Sequence, residues 1–425
     1  MEKKIMERRR VVITGMGAVT PVGNSVDEAW ENIKGGKSGI GTITLFDAGR
    51  LPVKIAAEVK NFDIAQYGIE TSAVRKTARF TKFCVAASAQ AIKDAGYTKE
   101  TLAAERNGVV VGCCMGGMEA TGDAFAKLDD KDAGPLRMPP LTTPLMITNE
   151  AAANVSIVFG LKGISWALNT ACASGSDAIG LAADMIRAGK CDVCLSGGTE
   201  AAITEFSIAS FVKLTALSTH FNDTPEKASR PFDKDRDGFI MGEGSVMLML
   251  EELEHAKARG AKIYAEIAGY GSSCDAFNIT APLKDGSGAA KAMELALLDA
   301  GIGAGEIGYY NAHGTSTHAN DVGETNALKM AFGDDAKKLH ISSTKSMTGH
   351  LVGAAGAIEA MVCVKAINDG FVPPTINIDN QDIEGGCDLD YTPNIGVKAD
   401  INAAMSASLG FGGHNACLVI KKFAE

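Results

Sequence analysis

Ile164-Ser-Trp-Ala-Leu-Asn-Thr-Ala-Cys-Ala-Ser-Gly-Ser-Asp177 reads as a short strand, a turn of small residues and the opening of a helix. Gly175, Ile179, Ala182 and Ile186 fall on one helical face, and Gly189 stands where a helix commonly stops. Cys172 occupies the junction. A thiol in the first turn of a helix points into unpaired backbone N–H groups, whose field favours thiolate. The cysteine is therefore expected to attack a carbonyl near neutral pH. Taken alone, the segment also describes a small buried hydrophobe, the usual state of a free cysteine.

Working outward, the chain says one thing twice. A second strand–turn–helix begins at His340-Ile-Ser-Ser343 and continues into a helix expected over about 350–367. Ala91-Ile-Lys-Asp-Ala-Gly96 closes a helix that leads to the strand Gly108-Val-Val-Val-Gly112, and Leu297-Leu-Asp-Ala-Gly301 closes another that leads to Ile307-Gly-Tyr-Tyr-Asn311. The opening strand from Val11 is matched by one from Ile263. These matches, in one order, predict duplicated halves, 1–260 and 261–425. Strands alternating with helices imply mixed α/β layers, with a site at the seam fed by both halves.

Composition sets limits. The 425 residues are 46% apolar and 22% charged, enough for a large core and without an apolar run that could span a bilayer. Lys3, Lys4, Arg8, Arg9 and Arg10 precede no signal-like apolar segment, so a cytoplasmic protein with no membrane partner is expected. A net charge of −10 argues against a general nucleic-acid binder. The ten cysteines show no disulfide framework. Cys191-Asp-Val-Cys194 has redox or zinc spacing, yet no second pair accompanies it, and residues three apart on a strand face opposite sides, so core packing is expected. Gly15-Met-Gly17 follows a strand, but Pro21 and Gly23 follow it in turn and no clean helix opens there, so a dinucleotide site is rejected.

Two histidines stand out. His313 ends a strand and opens Gly314-Thr-Ser-Thr317, while His350 follows Ser346-Met-Thr-Gly349 at the expected helix start. The helix dipole there disfavours imidazolium, so His350 should be neutral. The other five histidines are expected to be surface or packing residues. Gly410-Phe-Gly-Gly413, between two strand-like segments, allows a backbone that aims N–H groups into a cavity.

In six blocks the chain resembles β-ketoacyl-[acyl-carrier-protein] synthases, most of all the type II elongating enzymes. The blocks are Thr170-Ala-Cys-Ala-Ser-Gly175, Ser229-Arg-Pro-Phe-Asp233, Asp237-Gly-Phe, Asn311-Ala-His-Gly-Thr-Ser-Thr317, Ser342-Ser-Thr-Lys-Ser-Met-Thr-Gly-His350 and Gly410-Phe-Gly-Gly413. The resemblance implies a thiolase-like duplicated α-β-α-β-α five-layered sandwich. It implies that Cys172 is the acylated nucleophile, that His313 and His350 are the paired histidines, and that Lys345 supports the second of them with Glu359 in its network. Phe411 resembles the gating phenylalanine whose N–H joins that of Cys172 in an oxyanion hole. Thr315 and Thr317 match pantetheine contacts, and Met115, Asn278 and Thr280 fall at substrate-binding positions.

The implied reaction is a decarboxylative Claisen condensation between a Cys-bound acyl chain and a malonyl carrier, lengthening the chain by two carbons with no metal or organic cofactor. The implied partner is acyl carrier protein, and the implied assembly a homodimer. Arg75, Lys76, Arg79 and Lys82, expected on one helix, match the family's docking segment; a solvated basic face is the alternative.

Several positions depart from the family pattern. Asn278 replaces a usual histidine, His318 a proline, Ala407 an asparagine and Leu409 a phenylalanine, and Met115 stands where a branched or aromatic residue commonly limits the acyl pocket. A thiolase would need a second cysteine before a glycine, which Cys417 is not. An initiating synthase would carry asparagine in place of His350. A polyketide-type ketosynthase and a non-catalytic chain-length partner remain as alternatives.

Overall fold

The computed structural model describes residues 8–129 and 134–424. Lys3 and Lys4 lie outside them. Arg8 and Arg10 are spent on ion pairs, at 2.6 Å to Asp299 and 2.7 Å to Glu266, and Arg9 pairs with Asp192.

The main sheet strands are β1 (Val11–Val19), β2 (Asn107–Gly112), β3 (Ile164–Leu168), β4 (Val193–Glu200), β5 (Gly244–Glu252), β6 (Ala265–Cys274), β7 (Tyr309–Asn311), β8 (His340–Ser342), β9 (Ala403–Gly410) and β10 (His414–Lys421). They run in the order β8-β7-β9-β10-β6-β1-β5-β4-β2-β3. Each set of five therefore has its third, second, fourth, fifth and first strand in sequence. In both sets the fifth strand is antiparallel to its neighbours and the second is parallel to those beside it. Only two residue pairs, Val12↔Glu266 and Ile13↔Ala265, join the sets through β1 and β6.

The helices that matter are α1 (Arg79–Asp94), α2 (Ser174–Arg187), α3 (Ser287–Ala300), α4 (His318–Phe332) and α5 (Ala355–Asp369). Helices α2 and α5 pack between the two sets of strands and share one apolar cluster with β1, β5 and β6. Ten consecutive α5 residues from Ala355 are buried, as expected of a helix covered on every side. Helix α1 covers the outer face of the first set, and α3 and α4 the outer face of the second. The result is helix, strand, helix, strand, helix: five layers.

The helix expected over about 350–367 is present with a shifted start. Helix α5 begins at Ala355 rather than near 350, after a 3-10 turn over Val352–Ala354. Gly189 does end α2, with φ 67°. Gly15 and Gly17 lie inside β1, where α1 approaches too closely for a side chain: a Cβ on Gly15 would sit 2.8 Å from that of Ala95. Cys191 and Cys194 do not face opposite sides. The strand begins only at Val193, so Cys191 lies in the preceding turn, and both buried sulfurs border Gly108.

Candidate active site

Between β3 and α2 the chain makes a sharp elbow. Ala171 has φ 52°, a conformation that costs a side chain roughly 1–2 kcal/mol. Local bonds hold it there. Asn169 Oδ1 accepts from Ala171 N at 3.1 Å, and Ser174 Oγ donates to Ala171 O at 2.6 Å. Asp177 accepts from Thr170 Oγ1 at 2.5 Å and from Tyr270 OH at 2.6 Å, tying the elbow to β6 of the other set. The elbow recurs before α5, where Val352 has φ 47°. Gly353 then stands where Cys172 stands in the first copy, and the N-termini of α2 and α5 meet: a Cβ on Gly175 would lie 3.0 Å from Gly353 O.

Burial, not the helix end, dominates the Cys172 thiol and pushes it up to about 11. The Lys345 ammonium and the Phe411 N–H oppose this, while Glu200 and Glu359 reinforce it. The resting group is a neutral thiol, against the sequence expectation, because desolvation of a thiolate outweighs one turn of unpaired amides.

His313 and His350 meet edge to face, ring centroids 5.2 Å apart. Burial holds both well below the usual imidazole range, and the Lys345 ammonium lowers both further. Both are neutral. For His350 the cause is therefore burial more than a helix dipole. Lys345 Nζ lies 3.3 Å from His313 Nδ1 and pairs with Glu359. The lysine thus supports the first histidine, not the second as the resemblance implied. An ammonium donating to Nδ1 leaves the imidazole proton on Nε2. The Glu324 carboxylate fixes this strand end by accepting from His313 N and Gly314 N, each at 2.7 Å. His350 is anchored by its backbone, N to Ile240 O at 2.7 Å, and its ring packs against Phe239.

Cys172, His313, His350, Thr280, Thr315, Thr317 and Phe411 line one cavity of about 230 Å³. The Thr315 and Thr317 hydroxyls are 2.9 Å apart. The Phe411 N–H favours the Cys172 thiolate, and the Phe411 ring lies 6.3 Å from that of Phe211. The turn that carries Phe411 rests on the 275–283 loop, with Gly412 N donating to Ile279 O at 2.9 Å and Asp275 N to Gly413 O at 2.8 Å. Leu409 also lines the cavity, whereas Ala407 is buried beneath it.

Other expected residues lie elsewhere. Glu359 is wholly buried in α5, where it pairs with Lys345 and does not line the cavity; burial pushes it up to about 7, with the ammonium opposing. Asn278 is exposed and shapes the loop, its Oδ1 accepting from Thr280 N at 2.9 Å and Ala281 N at 3.0 Å. Met115 is half-buried and packs, with Met118 and Phe211, on a neighbouring apolar cluster. His318 is exposed at the start of α4. The basic segment is not one helix: Arg75 and Lys76 are exposed between a short helix, Thr71–Val74, and α1. Arg79 is committed to buried Glu243, at 2.6 and 2.9 Å. Lys82 lines, with Arg75, a second cleft beside the segment.

Some functional scaffolding escaped the sequence reading. Ser229 Oγ donates to Lys345 O at 2.7 Å and Arg230 N to Ser316 Oγ at 3.1 Å, so the Ser229–Asp233 block holds the lysine and threonine loops. Buried Arg236 bridges Asp321 and Asp382 below them. Glu200, which ends a run of small strand residues, gathers four amides around the site; an acid closing such a strand was the available signal. Among the described residues no group of three or more His, Cys, Asp or Glu side chains is arranged to hold a metal ion.

The chain matches the family model for the β-ketoacyl synthase N-terminal domain over residues 8–256 and that for the C-terminal domain over 264–379. It is 49% identical over 418 residues to 3-oxoacyl-[acyl-carrier-protein] synthase 2 of Synechocystis sp., covering 98% of this chain and 99% of that one. The enzyme of the same description from Staphylococcus aureus is 49% identical over 417 residues, covering 98% and 99%. Among solved structures, a β-ketoacyl synthase from Burkholderia phymatum superposes with TM-score 0.90 at 37% identity, covering 98% of this chain and all (100%) of that one. A ketosynthase structure described as a type II polyketide acyl carrier protein in complex with its ketosynthase gives TM-score 0.90 at 34% identity, with coverage of 98% and 100%.

Proposed function

The chain belongs to the β-ketoacyl synthase family, and from that premise we propose how its residues divide the work of condensation. The activity is that of an elongating 3-oxoacyl-[acyl-carrier-protein] synthase of fatty-acid synthesis: a Cys-bound acyl chain condenses with a malonyl carrier, carbon dioxide leaves, and the chain grows by two carbons.

Cys172 attacks the acyl thioester and releases the carrier thiol. With its own thiol held near 11, the cysteine loses its proton as the S–C bond forms; His350, whose ring nitrogens Lys345 does not occupy, accepts it and passes it to the departing carrier thiolate, so both imidazoles are neutral again before the malonyl carrier enters. The N–H groups of Cys172 and Phe411 stabilise the tetrahedral oxyanion; one such donor is typically worth about 3–4 kcal/mol of barrier. When the malonyl group loses carbon dioxide, the enolate oxygen is met by the Nε2–H of His313 and the ring of His350. Neutral donors stabilise that charge without protonating the carbanion. Thr315, Thr317 and Thr280 receive the pantetheine arm. One observation carries this reading: a thiol, two neutral imidazoles and the Phe411 amide open onto a single cavity.

Acyl carrier protein is the partner, docking on Arg75, Lys76 and Lys82; the exposed Arg75 and Lys76 with the half-buried Lys82 suit an acidic surface, while Arg79 braces the segment through Glu243. The halves 1–260 and 261–425 contribute the thiol and the histidines respectively, and the repeated strand order supports that division. A second copy of the chain covers β3. This strand pairs on one side with β2 and exposes 46% of Trp166, beside Ile157 at 71%. A polyketide substrate is the weaker reading, since the relatives so described are the less similar ones.

Mass analysis of products from acyl carriers of graded length plus malonyl carrier, with peptide mapping of the acyl-enzyme, tests this. Chains two carbons longer and acyl-Cys172 are expected. An acyl group elsewhere, or none, overturns the assignment.

A further inference from the structure

Glu200 closes β4 with its carboxylate wholly buried, and it is met chiefly by backbone amides. Oε2 accepts from Cys114 N at 3.0 Å and from Gly353 N at 3.2 Å. Met115 N donates to both oxygens at 3.2 Å, and Gly116 N to Oε1 at 3.2 Å. The Cys113 thiol lies 3.9 Å from Oε1. Two structures that never meet in sequence share this anchor. One is the loop that carries Met115 after β2; the other is the turn that follows His350 into α5. Gly353 makes the sharing possible, because a Cβ there would lie 2.9 Å from Oε2 and 2.6 Å from Cys114 N.

We propose that Glu200 is a positioning residue for the condensation: its carboxylate draws the Cys114–Gly116 loop and the Gly353 turn onto one point, fixing Met115 and His350 relative to Cys172. The inference rests on the functional reading of Cys172 and His350 given above. The anion also reports electrically on the thiol. Glu200 and Glu359 work against a Cys172 thiolate, whereas Lys345 and the Phe411 N–H work for it, and Cys113 and Cys114 face Glu200 as further thiols. Burial lifts Glu200 to about 7 against its amide donors, so the carboxylate is charged throughout the alkaline range in which Cys172 titrates.

The test is iodoacetamide alkylation of Cys172 across alkaline pH, read on its peptide by mass spectrometry, alongside steady-state condensation. Glu200→Gln removes the charge and sets an NH2 group against amide donors. Its alkylation midpoint should fall by roughly half a pH unit, about threefold faster labelling at a fixed pH below the midpoint. Its kcat should fall at least about tenfold, with KM for malonyl carrier changing less. Glu200→Asp keeps the charge on a shorter arm and should lose kcat while keeping the midpoint. A wild-type midpoint or a wild-type kcat in Glu200→Gln overturns the inference. Should that variant not fold, Glu200→Asp decides: lost kcat at an unmoved midpoint supports the role, and any other result overturns it. Acylation of wild-type Cys172 is checked first; its absence sinks the functional reading, whereas these variant readouts bear on Glu200 alone.

Discussion

At the scale of single residues, Cys172 is pulled in two directions. One turn of unpaired amides and the Lys345 ammonium favour its thiolate; burial and two carboxylates oppose it and win. Because thiolate rises with pH toward a midpoint near 11, alkylation of the free enzyme should still be climbing at about pH 9, where an activated cysteine would have levelled off. A plateau near neutral pH would contradict this environment. Lys345 lowers both imidazoles and lowers the thiol at once. Lys345→Met should therefore raise the alkylation midpoint, let the histidines protonate at higher pH, and leave Glu359 buried without its cation, a loss of about 3–5 kcal/mol of stability. Condensation rate, alkylation profile and thermal unfolding measured on one preparation check all three, and an unmoved alkylation profile would refute the electrostatic role.

At the scale of elements, the same strand–elbow–helix unit is used twice for different ends. In the first copy the elbow presents a sulfur; in the second the equivalent position is Gly353, whose missing side chain lets the two helix starts close together. The turn between β9 and β10 completes the site by approach. A Cβ on Gly410 would stand 2.7 Å from Thr170 O and 3.2 Å from Cys172 N. Gly410→Ala should displace the Phe411 amide and slow acylation about a hundredfold, the usual effect of losing one oxyanion donor, with little change in folding. Single-turnover acylation measures it. The loop after β2 governs the other direction. Met115→Phe adds bulk to the cluster that holds Phe211 and should shorten the longest acyl chain accepted; an unchanged chain-length profile with graded acyl carriers would show that Met115 does not bound the pocket.

At the scale of the whole molecule, the short helix Leu253–Ala258, which joins β5 to β6 and so one set of strands to the other, carries a pH-dependent tie. His255 lies 3.1 Å from Glu251 and 3.0 Å from Glu105. Burial opposes the imidazolium, but hydrogen bonds and charge from both carboxylates outweigh it and raise the group above its ordinary value. A raised histidine contributes stability that is fully present below the unfolded value and fades as pH climbs through the folded one. His255→Phe should therefore lower Tm at about pH 5.5 and matter less at about pH 9; equal losses at both would remove the charge from the explanation. The exposed edge of β3 makes its own prediction. Trp166→Glu should weaken self-association, read as a shift toward monomer in light scattering, if a second copy covers that strand.

The chain by itself determined the repeat and the alternation of strand and helix, because periodicity is a local property. Cys172, His313 and His350 stood out at element ends, and the roles given to them came from the resemblance in the family's sequence blocks. Tertiary structure alone decided what those groups are. The protonation of the thiol follows from the groups the fold packs around it and from its partial removal from water. The partner of Lys345 follows from which strand end lies above α5, and the sequence resemblance pointed to the wrong imidazole. Arg79 is tied inward because Glu243, distant in sequence, lies buried beside it, and Glu200 gathers amides because loops from both halves converge on its carboxylate. Burial and long-range pairing set charge and orientation, and neither is written in any single stretch of residues.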